Sequence, residues 1–345
     1  LGRDVYTGKE LDSLKSDDVA VKKAKNMIFG LMSSNDALET SNKEFLEGFG
    51  EFVESEETKA NAANTAPPAY RTDVVKDNYE DFNDRFYGNN NVMVSNKAAL
   101  HGTHVSGIIA AARNNGKGMD GVADNVRIMS LRAVPDGDEH DKDIALAIRY
   151  AVDNGARVVN MSFGKSYSPQ KKWVDDAVKY AESKGVLLVH AAGNDAKNLD
   201  SSYNYPTPNL LDGTRPNNWI TVGASGDPKA GGLTASFSNY GKKEVDVFAP
   251  GVRIYATVPG GDTYQNLQGT SMASPVVAGL AAFIMEYYPT LSARQVKMVI
   301  EKSAKKPGEK VNNPGTDESA ELEELSKTGG IINAFEAIKL ASTIK

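Results

Sequence analysis

From about Ala98 onward the chain alternates short apolar runs with stretches of helical periodicity, and this alternation restricts its possible folds more than any other feature. The strand-like runs are Val126–Val134, Arg157–Met161, Val186–Ala191, Trp219–Ala224 and Val245–Phe248. Between and after them, Thr103–Arg113, Asp143–Asp153, Lys171–Lys184, Thr270–Tyr288 and Ala293–Ser303 carry apolar residues at helical spacing. Strands that are apolar throughout must be covered on both faces, and strands separated by helices join in parallel through crossovers. The pattern therefore predicts an α/β fold, a mainly parallel central sheet with helices on both faces. Two short β-like runs between Val252 and Leu267 flank Pro259–Asp262 and read as a hairpin, and Ile331–Ile344 reads as a closing helix. The acidic stretch Asp317–Glu324 before it reads as a solvated insertion.

Residues 1–97 do not follow this pattern. Asp17–Leu31 and Ser41–Glu54 read as charged amphipathic helices, and Asn61–Ala69 as a flexible link. The expected organisation is a mostly helical insertion or N-terminal extension over 1–97, attached to a core domain over 98–345.

Composition narrows the function classes. A net charge of −6 argues against a nucleic-acid surface, which needs clustered Lys and Arg. No run of 18 apolar residues exists to span a membrane. With no cysteine, neither disulfides nor a thiol nucleophile is available.

Three motifs carry chemistry. In Leu267–Gly279 (LQGTSMASPVVAG), Ser271 stands where a helix begins, among backbone N–H groups with partial positive charge. Gly269 lets the backbone approach a bound group. Ser271 reads as a nucleophile or as an ordinary helix-start serine, and the segment alone leaves both open. In Leu100–Ala112 (LHGTHVSGIIAAA, running on to Ala112), His101 and His104 are two of four histidines in the chain. His104 falls on the apolar side with Val105 and Ile108 and reads as buried. His101, expected at an exposed helix start, is the one placed to act as a base. No carboxylate or cysteine nearby has ligand spacing, so no metal site is expected here. In Val186–Asn194 (VLLVHAAGN) an apolar strand ends in Ala192, Gly193 and Asn194, at the strand end where open α/β sheets place their ligands. Asn194 there is able to offer its NH₂ to a developing oxyanion, or merely to turn the chain.

Together and in this order, the motifs resemble the subtilisin-like serine peptidases, the subtilases. His-Gly-Thr-His-Val-Ser-Gly is similar to the family's histidine motif, Ala-Ala-Gly-Asn to its oxyanion motif, and Gly-Thr-Ser-Met-Ala-Ser-Pro to its serine motif. Asn160–Gly164 resembles the strand that pairs with substrate. The resemblance runs from about Ala98 to Ala341, roughly 70% of the chain. It implies a subtilisin-like three-layer fold and a serine endopeptidase that hydrolyses extended polypeptides. It further implies catalytic roles for His101, Ser271 and Asn194, and substrate binding by Ser162, Phe163, Gly164, Ala192 and Gly193. A polypeptide substrate, no nucleic acid, no membrane span and export from the cell follow as expectations; the oligomeric state does not.

One element of the family pattern is missing. The triad's aspartate is expected at the end of an apolar strand before the histidine, in an apolar-apolar-Asp-Ser/Thr-Gly motif, and no such segment precedes His101. Asp73 lacks both the apolar lead-in and the glycine, and Asp36 and Asp84 fit no better. Since the sequence starts at Leu1-Gly2-Arg3, the expectation is that the aspartate lies upstream of it. The alternative is a catalytically impaired peptide-binding or scaffold protein that keeps the fold. Two further expectations come with the resemblance. The carboxylates of Asp136–Asp143 would border the non-primed subsites, against a reading of the same residues as a solvated loop. No cofactor is required, although Arg113–Met119 resembles a structural calcium loop in length and position, with Lys117 an unwelcome charge in it.

Overall fold

The computed structural model describes residues 2–34, 37–43, 45–46, 49–50, 53, 57, 71–134, 137–228 and 230–344. The link expected at Asn61–Ala69, together with Asp36 and Asp136, lies outside the described residues. Backbone contacts separate the chain into two compact units, Leu1–Val74 and Val75–Lys345.

The smaller unit is helical. Helix α1 (Gly8–Asp12) starts on a reciprocal cap, in which the Glu10 N–H donates to Thr7 Oγ1 and the Thr7 N–H to the Glu10 carboxylate. Helix α2 (Val19–Ser34) covers the stretch expected as amphipathic, and its Met32 is buried against Ala37 and Phe45.

In the larger unit, β1 (Val158–Met161), β2 (Leu187–Ala191), β3 (Trp219–Asp227) and β5 (Val247–Pro250) form a parallel run in the order β1-β2-β3-β5. Strand β4 (Ala230–Thr234) folds back antiparallel on the end of β3. Alternation along the strands sorts the side chains into two cores. Leu187, Val189, Ile220 and Val222 face α6 (Thr270–Tyr287), α7 (Ala293–Ser303) and the C-terminal helix Ala334–Ala341. Leu188, Met161 and Trp219 face α4 (Asp141–Asp153) and α5 (Lys171–Ser183). This is the three-layer α/β arrangement expected. Strands β6 (Ile254–Val258) and β7 (Thr263–Leu267) form the anticipated hairpin, and α3 (Asn96–Ala110) packs on it and on α6. No helix among the described residues is long and apolar enough to cross a membrane.

Three local expectations change. Val126–Val134 is not a strand: no described strand pairs with it, and Ile128, Met129 and Leu131 are exposed. An apolar run sets a preference for burial, but a strand also needs a partner for its ladder. The acidic stretch before the closing helix is not merely solvated. Leu322 and Leu325, three apart in the short helix Leu322–Leu325, are buried with Val245 and Phe248 while the glutamates between them face outward. Helix α3 begins at Asn96, seven residues before the predicted start, because Ser95 caps it by accepting from the Ala98 N–H at 3.1 Å.

Candidate active site

Helix α6 begins one residue before Ser271. Its cap residue Gly269 has φ +145°, a conformation that side-chain-bearing residues rarely adopt. A Cβ built there would lie 3.5 Å from Asn194 Nδ2 and 3.6 Å from the Ser271 nitrogen. Any side chain at 269 would therefore touch both of these donors, so the glycine keeps open the space they border.

Asn194 is oriented by α6. Its Oδ1 accepts from the Thr270 N–H at 2.8 Å and from Thr270 Oγ1 at 2.9 Å. With the carbonyl side of the amide engaged, the NH₂ is left to donate elsewhere. Thr270 Oγ1 also accepts from the Gly193 N–H at 3.0 Å, so one threonine sets both residues of the Gly193–Asn194 turn. The Met272 and Ala273 N–H groups go to the Gly269 carbonyl, and no described acceptor holds the Ser271 N–H. The helix start thus retains one free donor beside the nucleophile candidate.

A second network fixes Ser162. Ser274 Oγ donates to Asn160 Oδ1 at 2.7 Å, Asn160 Nδ2 to Ser162 Oγ at 2.9 Å, and Ser162 Oγ to the Ser271 carbonyl at 2.8 Å. The Ser271 hydroxyl in turn donates to the Ser162 carbonyl at 3.3 Å, a long bond that a rotation about χ1 would release. The Phe163 carbonyl accepts from His190 Nε2 at 2.8 Å. His190 is fully buried, which pulls its pKa down to about 4 despite this bond, so a neutral imidazole N–H makes the contact. A Cβ on Gly164 would run into Asn204 Oδ1 at 2.3 Å, and one on Gly193 into Asn239 Nδ2 at 2.4 Å, with Asn204 3.3 Å away. Ala192 is buried, and its carbonyl accepts from Asn239 Nδ2 at 2.8 Å.

His101 lies in the second turn of α3, not at its start, and its side chain is exposed. The surrounding protein still disfavours its charged form and holds its pKa below the usual imidazole range, with His104 acting in the same direction. His104 is fully buried as expected, bonded through Nε2 to the Gln265 carbonyl at 3.0 Å. No hydrogen bond joins His101 to Ser271, and among the described residues no carboxylate bonds to His101. The structure thus brings Asn194, Gly193, Ser162 and Ser271 into one hydrogen-bonded constellation and leaves His101 outside it.

Several contributors escape a reading of the sequence. Asn239 is buried, and its Oδ1 accepts from the Asp195 and Lys197 N–H groups at 3.0 and 2.8 Å, which clamps the turn after Asn194. A loop asparagine has no periodicity to announce it. Thr270, Ser274 and Asn160 stand inside recognised motifs, but nothing in their spacing reveals whom they bond.

The acidic segment before α4 differs from expectation. Glu139 and Asp141 are buried, Asp141 pairing with Lys165 at 2.9 Å, and Asp143 accepts from the Tyr87 hydroxyl at 2.5 Å. Of its described carboxylates only Asp138 is exposed, so the segment is a partly internal ion-pair cluster and not a row of open charges. In the loop after α3, no group of three or more His, Asp or Glu side chains among the described residues is placed to hold a metal ion. Arg113 Nη1 takes the Gly121 and Val122 carbonyls, Asp120 accepts from the Asn114 N–H, and Lys117 pairs with Asp262 at 2.6 Å. Asn115 Oδ1 accepts from the Lys117 N–H at 2.9 Å.

Comparison with known proteins agrees with this geometry. The model of the "Subtilase family" matches residues 34–321. A thermophilic serine proteinase of Bacillus sp. (strain AK1) is 40% identical over 217 residues, 63% of this chain and 48% of that protein. Subtilisin DY of Bacillus licheniformis is 40% identical over 212 residues, 61% of this chain and 72% of the relative. The chain therefore spans about half the length of the first relative. Among solved structures, a protease from Pseudoalteromonas arctica superposes with a TM-score of 0.56 at 30% identity, over 70% of each chain. The protease domain of PatA gives the same TM-score at 26% identity, over 71% of this chain and 82% of its own. The motifs, the three-layer sheet and the match over 34–321 lead to one conclusion: the chain belongs to the subtilase family of serine peptidases.

Proposed function

We propose that this protein is an exported serine endopeptidase that cuts extended polypeptides, with Ser271 as nucleophile and His101 as general base. The observation that carries the reading is the fixed orientation of Asn194: Thr270 takes its carbonyl oxygen, leaving its NH₂ beside the free Ser271 N–H. Two donors bordering one space suit the oxyanion that forms when a serine attacks a carbonyl. In the reaction the Ser271 hydroxyl leaves the Ser162 carbonyl and gives its proton to His101 as Oγ bonds to the scissile carbon. His101 then passes that proton to the departing amine, and water releases the acyl group by the reverse sequence. Ser162–Gly164 would hold the substrate through main-chain hydrogen bonds, which disregard side-chain identity and favour broad specificity, while Ala192–Gly193, whose own main-chain groups are engaged within the fold, would line the cleft beside it. The acid of the triad is not assigned to any described residue. No metal or organic cofactor takes part in these steps.

A second reading, a peptide-binding protein that does not cut, draws on the absence of a bond between His101 and Ser271. Labelling with a small fluorophosphonate separates the two. The parent chain should be acylated at Ser271 and should hydrolyse an unfolded polypeptide, and Ser271→Ala should do neither while still binding peptide. Equal turnover by parent and variant would remove Ser271 from the chemistry, and an unlabelled parent would favour the binding protein.

A further inference from the structure

The segment Ser162–Gly164 is suspended between two anchors of different kinds. At its near end, Ser162 is fixed by the chain of bonds through Asn160 and Ser274 to α6. At its far end stands Lys165, which is buried. The Lys165 backbone forms an isolated antiparallel bridge with Tyr205, its N–H donating to the Tyr205 carbonyl at 3.1 Å and its carbonyl accepting at 2.7 Å. The Lys165 ammonium donates to the Glu139 carbonyl at 2.6 Å and pairs with Asp141 Oδ1 at 2.9 Å. Asp141 also accepts from Ser168 Oγ at 2.9 Å and from the Gln170 N–H at 2.7 Å. One side chain thus ties the end of the segment to the start of α4 and to the turn that leads into α5.

Burying an ammonium is costly unless it is paired and hydrogen-bonded, and an apolar residue of similar length would fill this place with no such requirement. What the ion pair adds is direction: three donors on a fixed nitrogen hold two chain segments at a set distance. A peptide that pairs with Ser162–Gly164 needs the spacing of those backbone groups to match its own, and the far end of the segment has no ladder of its own beyond the single bridge to Tyr205.

We propose that Lys165 is a positioning residue that holds the far end of the peptide-pairing segment in register, and so controls affinity for extended substrates without acting on the acyl chemistry at Ser271. The inference rests on the reading of Ser162–Gly164 as the peptide-pairing segment. Its distinguishing consequence is a dependence on ligand length. A reagent that meets only Ser271 should not sense Lys165, because the near anchor through Asn160 and Ser274 is independent of it.

The test uses the full chain and two readouts. A fluorescein-labelled, unstructured hexapeptide is titrated by anisotropy into Ser271→Ala and into Ser271→Ala with Lys165→Met. The rate of Ser271 labelling by a small fluorophosphonate is measured in the parent and in Lys165→Met alone. The expected result is about a tenfold loss of peptide affinity, the scale of one charge-assisted contact, with the labelling rate unchanged within about twofold. Asp141→Asn, which keeps the shape and removes the charge, should weaken peptide binding by about threefold and serves if Lys165→Met does not fold. Unchanged affinity, or no hexapeptide binding to Ser271→Ala at all, overturns the proposal. A labelling rate that falls in step with affinity also overturns it, by showing general loosening. If the parent is not labelled, the peptidase reading fails on its own, and the affinity comparison still decides the role of Lys165.

Discussion

At the scale of single residues, the site separates groups that supply chemistry from groups that aim them. In the proposed reaction Asn194 would face the oxyanion with its NH₂ because Thr270 occupies its oxygen, and Ser162 is fixed because Asn160 and Ser274 stand behind it. His101 is the residue whose environment has a kinetic signature. Although its side chain is exposed, nearby protein atoms partly desolvate the ring and disfavour the imidazolium, and His104 adds to the effect, so its pKa lies below the ordinary value. A general base must be neutral to accept the serine proton, and a lowered pKa keeps it neutral into mildly acidic solution. The acidic limb of kcat/KM should accordingly fall below about pH 6.5, the value for an unperturbed histidine. A pH–rate profile checks this, and a limb at or above that value would show that the resting environment does not persist in the working enzyme.

At the scale of elements, the position of His101 depends on how α3 lies on the β6–β7 hairpin. Gly107 makes that approach possible: a Cβ there would lie 2.1 Å from Thr257 Oγ1 and 3.1 Å from the Thr257 nitrogen. The same Thr257 hydroxyl donates to the Thr103 carbonyl at 3.0 Å, between His101 and Gly107 on the helix. Gly107→Ala would gain about 1 kcal/mol of helix propensity but force α3 off the hairpin, so a net destabilisation of about 1–3 kcal/mol is expected. Urea unfolding measures it, and a variant as stable as the parent would show that the hairpin yields instead. Most elements were legible because helices and strands declare themselves through periodicity. The exception is instructive: Val126–Val134 has a strand's composition, yet a ladder requires a neighbour, and composition cannot supply one.

At the scale of the larger unit, buried charges join segments far apart in sequence. Lys142 and Asp77 pair at 2.8 Å with neither side chain exposed, and Lys297 and Lys327 both reach Asp246. Asp246 is buried, which raises its pKa, but Lys297, the Thr221 N–H and Lys327 outweigh this and leave it lowered. Its contribution to stability is present above the unfolded value and is lost as pH falls. Glu139 behaves oppositely. Burial lifts its pKa to about 7, with its own backbone and Lys165 only partly opposing this, against an ordinary value of 4.5. Between those two values the folded state binds more protons than the unfolded state, so stability declines as pH rises through this window. The loss attributable to Glu139 is at most about 3 kcal/mol. Glu139→Gln, which carries no charge, should gain on the parent between pH 5 and pH 8 when both are unfolded in urea. A stability difference that is the same at both pH values would mean that Glu139 does not titrate inside the fold.

Local order along the chain was enough for whatever depends on near neighbours: the parallel sheet and its covering helices, the hairpin, the burial of His104, and the three motifs that identify the family. Helix starts were partly readable too, as with Ser292 and Gln295, whose reciprocal cap opens α7 at the predicted residue. Which groups meet is settled only once the chain has folded. Thr270 lies 76 residues from Asn194, and Ser274 lies 114 residues from Asn160. Asn239 and Lys165 acquire their roles only when distant loops converge, and buried Asp141 has its charge paired only because Lys165 meets it there. Periodicity reports whether a side chain is to be buried. It carries no information on which donor will face which acceptor, because that pairing is fixed by the approach of segments in three dimensions.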